Sequence, residues 1–77
     1  MIYFTKTIYG EKVVLCGNRF IVKDGRFFVV HDAYNIKSIT HIEKALCPVI
    51  SFYETLLELL KDIDMDNSHD DILQYLT

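Results

Sequence analysis

No run of about 18 apolar residues occurs in this chain, so no membrane-spanning helix is predicted. The start, Met1-Ile2-Tyr3-Phe4-Thr5-Lys6, has no basic segment ahead of an apolar one, which argues against a secretory leader. There are only two cysteines, Cys16 and Cys47, too few for a disulfide scaffold. These absences predict a reducing, cytoplasmic setting.

Signatures of chemistry are equally scarce. The chain has no phosphate-binding loop, dinucleotide fingerprint or nucleophile elbow. Cys16 falls at a hairpin corner, away from any helix N-terminus that would lower its pKa. His31, His41 and His69 lack the short spacing to one another or to cysteine that a zinc site needs. Asp62, Asp64 and Asp66 match the first, third and fifth positions of a calcium loop. The match then fails, with Asn67 in place of glycine, His69 where an apolar residue is usual and Leu73 in place of the closing glutamate. The segment reads instead as a solvated acidic turn. A chain of 77 residues also has little room for a ligand pocket of about 300 Å³. The expectation is a protein that is not an enzyme, with no cofactor and no metal.

What the chain does have is 51% hydrophobic residues, enough for one small folded domain over residues 1–77. Three turn signals, Gly10-Glu11, Gly17-Asn18 and Asp24-Gly25, divide residues 2–31 into four strands. With two-residue loops, Ile8 faces Val13, Leu15 faces Phe20 and Val22 faces Phe27. This register puts Phe4, Ile8, Val13, Leu15, Phe20, Val22, Phe27 and Val29 on one face, with Lys6 the misfit. That apolar face is the expected bed for the helices.

Downstream, Ile39, Ile42, Leu46, Val49, Tyr53, Leu56, Leu60 and Ile63 recur at steps of three and four, which predicts one amphipathic helix over about 38–63. Asn35, Ser38 or Thr40 with Glu43 would cap it, and Pro48 would interrupt it. Phe52, Leu57 and Leu59 widen the stripe. They predict either cover by the sheet and the C-terminal helix, or a surface for a partner or a second copy pairing through the major helix. Asn67 or Ser68 would cap a short helix over about 69–76, with Asp70 and Asp71 in its first turn. The fold class is therefore α+β: a four-stranded antiparallel meander packed by a proline-interrupted helix and a short C-terminal one.

Charge is unevenly divided. Residues 1–53 hold seven Lys or Arg and four acids, whereas residues 54–77 hold seven acids and Lys61 alone. A polarised map favours oriented encounter with a charged partner. The leading expectation is an interaction module that regulates or inhibits a protein partner. Its Glu54, Glu58, Asp62, Asp64, Asp66, Asp70 and Asp71 would imitate nucleic-acid phosphates and occupy the basic channel of a nuclease or other nucleic-acid-binding protein. Small phage-encoded nuclease inhibitors are similar in size and charge. The alternative is direct nucleic-acid binding by the other sheet face, through Arg19, Lys23, Arg26 and Phe28, since basic residues beside aromatics on a sheet suit single strands. An acidic overall balance weighs against that alternative.

Overall fold

Gly17 and Asn18 turn the chain so that Cys16 meets Arg19, and the rest of the sheet grows outward from this hairpin. A computed structural model describes residues 1–77. Its strands are β1 (Ile2–Lys6), β2 (Lys12–Cys16), β3 (Arg19–Asp24), β4 (Phe27–Asp32) and β5 (Val49–Tyr53). They form one antiparallel sheet in chain order, with β1 and β5 at its borders. The helices are α1 (Leu56–Asp62) and α2 (His69–Leu76). The architecture is α+β, with five strands where four were expected.

The fifth strand corrects the reading of residues 38–55 as helix. Residues 33–48 are an irregular crossover containing a single 3-10 turn at Lys44–Leu46, and β5 follows it. Asn35, Ser38 and Thr40 cap no helix. Three forces oppose helix here. The residue ahead of Pro48 is held out of the helical region. Val49, Ile50, Phe52 and Tyr53 are β-branched or aromatic and favour a strand. Pairing with β4 then satisfies their main-chain groups, as in Phe28 against Tyr53 and Val30 against Ser51. Of the predicted stripe only Leu56, Leu60 and Ile63 share a helical segment and its cap. The C-terminal helix lies where the sequence placed it.

Register decides which sheet face meets which cover. The Gly17-Asn18 hairpin has the expected pairing, Leu15 against Phe20. The next hairpin turns at Gly25-Arg26, because Asp24 pairs with Phe27. Gly25 has a φ of 60° at the first loop position, which suits a primed turn and strains any residue with a Cβ. This slides β4 by two residues, an even shift that keeps each side chain on its expected face. The first hairpin differs more. Its loop is Thr7–Glu11, and Thr5 faces Val13 in the place expected for Ile8. Thr7 organises this loop, its N–H donating to the Glu11 carbonyl at 2.8 Å and its Oγ1 accepting from the Glu11 N–H at 3.2 Å. A three-residue slip is odd, so β1 is inverted, and Phe4 and Lys6 share a face with Val14.

The helices lie on the opposite sheet face from the one expected. Val14, Ile21, Phe28 and Val30 pack against Leu56, Leu59, Leu60, Ile72 and Leu76. Val13, Leu15, Phe20, Val22 and Val29 pack instead against Ala33, Ile42 and Cys47 of the crossover. The sheet is thus buried on both sides, by helices on one and by the crossover on the other. Phe27 is half-buried beside the crossover core, and Phe20 is fully buried within it.

Each cover is tied down at its edges. The Tyr75 hydroxyl donates to the Thr5 carbonyl at 2.6 Å, and its ring meets Phe4 edge-on at 5.2 Å. These contacts fasten α2 to the inverted β1. On the other side Ile8 donates its N–H to the Ile42 carbonyl at 2.9 Å, and Lys44 pairs with Glu11 at 2.8 Å.

Candidate functional site

The two covers leave little of the sheet free, so a binding surface must come from its borders or from the outside of the covers. The proposed nucleic-acid face is the first casualty. Phe28 is only 7% exposed and lies beneath the helices, so it has no free ring for a base. Lys23 donates to the Gly25 carbonyl at 2.7 Å, and Arg26 lies 3.8 Å from Glu54 and 5.4 Å from the Phe27 ring centre. Arg19 stands at the opposite end of β3 from Lys23, about 14 Å away at the ordinary strand rise. The structure does not bring these residues together as a platform.

The seven acidic residues are all exposed, and all lie in α1, α2 and the segments that flank and connect them. Several also have a local role. The Thr55 hydroxyl accepts from the Glu58 N–H at 3.3 Å and donates to the Glu58 carboxylate at 2.7 Å, a reciprocal cap on α1. Asp62 accepts from the Tyr53 hydroxyl at 2.8 Å. Asp70 and Asp71 stand in the first turn of α2, where the helix dipole favours them.

Asp64 explains why this segment resembles a calcium loop. Met65 donates its N–H to the Leu60 carbonyl at 2.8 Å, and Asp64 donates to Lys61 at 3.3 Å. These paired bonds make a Schellman end to α1, with Asp64 at the left-handed position and φ of 58°. Asp64 therefore serves helix termination. No group of three His, Cys, Asp or Glu side chains converges in a way that would hold a metal ion.

Burial pushes the Cys16 thiol up to about 11. The same desolvation raises Cys47, helped by the carboxylate of Asp32. Neither thiol is activated toward nucleophilic attack. A cleft of about 220 Å³ opens between the end of the sheet and the α1–α2 connection, lined by Met1, Ile2, Cys16, Arg19 and Met65 among others. A wider hollow of about 410 Å³ beside Phe4, Lys12 and Tyr75 is an open surface depression.

Phe52, which the sequence placed on a widened helix stripe, lies instead on the outer border of β5, and that border as a surface was not foreseen. Phe52 is 66% exposed, Val49 55% and Ile50 46%. Phe52 stands on the crossover side of the sheet, edge-on to Phe27 at 5.6 Å. The phase of the ladder fixes its main chain. Asp32 donates its N–H to the Pro48 carbonyl at 2.9 Å. Alternate residues of an antiparallel strand address the same neighbour. Val30 and Phe28 therefore engage Ser51 and Tyr53, while the N–H and C=O of Phe52 point away from the sheet. The β-branched and aromatic composition of 49–53 was the available signal, and the apparent helical spacing obscured it. Compared with known proteins, the chain matches no family model, no curated protein and no solved structure.

Proposed function

We propose that this protein is a non-enzymatic interaction module, a regulator or inhibitor of a protein partner, with β5 as an essential contact element. The observation that carries this reading is Phe52, an exposed ring on a border strand whose own main-chain groups face outward. Apolar side chains flank it. Exposed apolar surface joined to unpaired strand groups is the combination used in sheet-edge recognition.

The charge of the helical layer supplies the chemistry of the partner. Its seven exposed carboxylates, with Lys61 the one basic residue in 54–77, favour a basic macromolecular surface. In its finer form, the reading has these carboxylates stand in for nucleic-acid phosphates in a basic protein channel. Such attraction steers encounter and weakens with salt.

Affinity capture from the native host with mass spectrometry tests both statements. The wild-type chain is compared with Phe52→Lys and with a variant carrying all seven acids as amides. Loss of the captured protein with Phe52→Lys supports β5 as the contact, and undiminished capture overturns it. The amide variant is expected to capture less and to lose the salt dependence. Binding that is indifferent to salt from the outset rules out phosphate mimicry.

A further inference from the structure

We propose that the cleft at the Gly17-Asn18 end of the sheet is a binding site for a small aliphatic carboxylate, with the hydrocarbon chain inside and the head on Arg19. None of the lining residues belongs to β5, so the site stands apart from the contact element described above.

The cleft lies on the helix side of the sheet, between the β2–β3 turn and the α1–α2 connection. Its floor is Ile21 and Val30, both buried in the helical core. Ile2 and Cys16, paired across β1 and β2, line the sheet side, and Ile63 and Met65 line the connection side. All four pack against that core yet remain only half-buried. The cleft is thus a part of the apolar core left open to solvent, about 220 Å³ in volume. An apolar cavity of about 150 Å³ holds a six-carbon ring, so this one takes roughly nine non-hydrogen atoms.

Both sides are held in place by main-chain bonds. The Asn18 carbonyl accepts from the Ala33 N–H at 2.8 Å, which ties the turn to the start of the crossover. The Met65 N–H on the Leu60 carbonyl, at 2.8 Å, holds the connection against α1. The cleft is therefore formed without a ligand, and binding does not have to order the backbone.

Charge selects the ligand. Arg19 is the only charged side chain in the lining. It is exposed and makes no ion pair. Asp32 stands opposite it in the ladder, but that carboxylate accepts from the Tyr34 N–H at 2.9 Å. The guanidinium fork keeps its donors for an incoming carboxylate, which it matches with two parallel bonds. Asp64 and Asp66 flank Met65 in sequence but are exposed and lie outside the lining. Their charge sets the orientation, because a negative head avoids the Met65 side and goes to Arg19. Apolar walls with one orienting polar group are the usual composition of a small-molecule site.

Titration of the isotope-labelled chain with heptanoate, a carboxylate of the size the cleft takes, reads the outcome by NMR. Amide shifts are expected at Cys16, Arg19, Ile63 and Met65, saturating with a Kd on the order of 1 mM, as suits so few atoms. Arg19→Gln, a change at an exposed side chain, is expected to weaken heptanoate about fivefold and to leave heptanol binding unchanged. A second comparison needs no variant: the wild-type chain is expected to bind heptanoate about fivefold more tightly than heptanol, with the cation of heptylamine weaker still. The absence of saturable shifts well above the expected Kd overturns the proposal. So do shifts centred on Val49–Tyr53 or beside Tyr75. Heptanol binding as tightly as heptanoate, or heptanoate binding indifferent to Arg19→Gln, overturns the role of Arg19 and with it the carboxylate.

Discussion

The imidazole of His31 lies flat against the ring of Phe20, with centroids 4.9 Å apart and planes 4° from parallel. Its Nδ1 is 2.9 Å from the Cys47 carbonyl, so one buried side chain joins β3, β4 and the end of the crossover. Removing both roles in His31→Ala is expected to cost about 2–3 kcal/mol, combining a lost buried bond and a lost ring. His31→Phe keeps the stack and is expected to cost about 1 kcal/mol. Thermal melts distinguish the two, at about 4–8 °C per kcal/mol for a domain of this size. Equal losses would show that the ring stack on Phe20 contributes nothing beyond the bond to Cys47.

Ile42 and Leu46 provide a sharper contrast. A single helix would bury them alike, one turn apart on one stripe. In the structure Ile42 is fully buried against the sheet, whereas Leu46 is 59% exposed. Ile42→Ala is expected to destabilise by about 2–4 kcal/mol. Leu46→Ala is expected to change stability by less than about 0.5 kcal/mol. Denaturant titration of the two variants measures the difference, and similar values would return the crossover to a helix.

This contrast also shows what was legible in the chain and why. The Gly17-Asn18 turn, strand pairing through Leu15 and Phe20, and α2 followed from local signals that tertiary contacts reinforce. The covering of both sheet faces was legible too, but in a different pattern. Val13-Val14-Leu15, Phe20-Ile21-Val22 and Phe28-Val29-Val30 are unbroken apolar triplets, as expected of strands buried on both sides. A sheet wet on one side would alternate. Lys6, the misfit of the expected face, marked the inverted register of β1. The identity of each cover was not local information. Phe4 lies on the helix side because Tyr75, far along the chain, fastens it there. The β5 surface was hidden because apolar residues spaced for a helix also fall on a crossover and a strand.

Asp64 holds a left-handed conformation, with φ of 58°, at the end of α1. Glycine adopts it without steric cost. Asp64→Gly is expected to stabilise the domain by about 0.5–1 kcal/mol, and Asp64→Ala to destabilise it. A melt that drops for Asp64→Gly would show that the carboxylate itself contributes more than the backbone relief.

The thiols set an alkaline limit. In the unfolded chain Cys16 ionises near 9.0, whereas in the fold burial holds it protonated to about 11. Between these values the unfolded state binds fewer protons, so stability falls as pH rises. The contribution is level below pH 9 and is lost through about 11. The melting temperature of wild type relative to Cys16→Ser is expected to decline across that window and to stay constant from pH 6 to 8. A constant difference up to pH 11 contradicts the desolvation of Cys16. At neutral pH the folded chain is expected to react with thiol reagents far more slowly than the unfolded chain.

The chain order of the strands has a consequence during synthesis. The first four strands are complete by Asp32, before either cover has been made. Their meander leaves the ribosome with two bare apolar faces and must wait a few seconds, at roughly 5–20 residues per second, for the segments that shield them. Because both covers follow the sheet in the chain, synonymous codons that slow translation beyond residue 32 are expected to lengthen that exposure without altering a single contact in the finished fold.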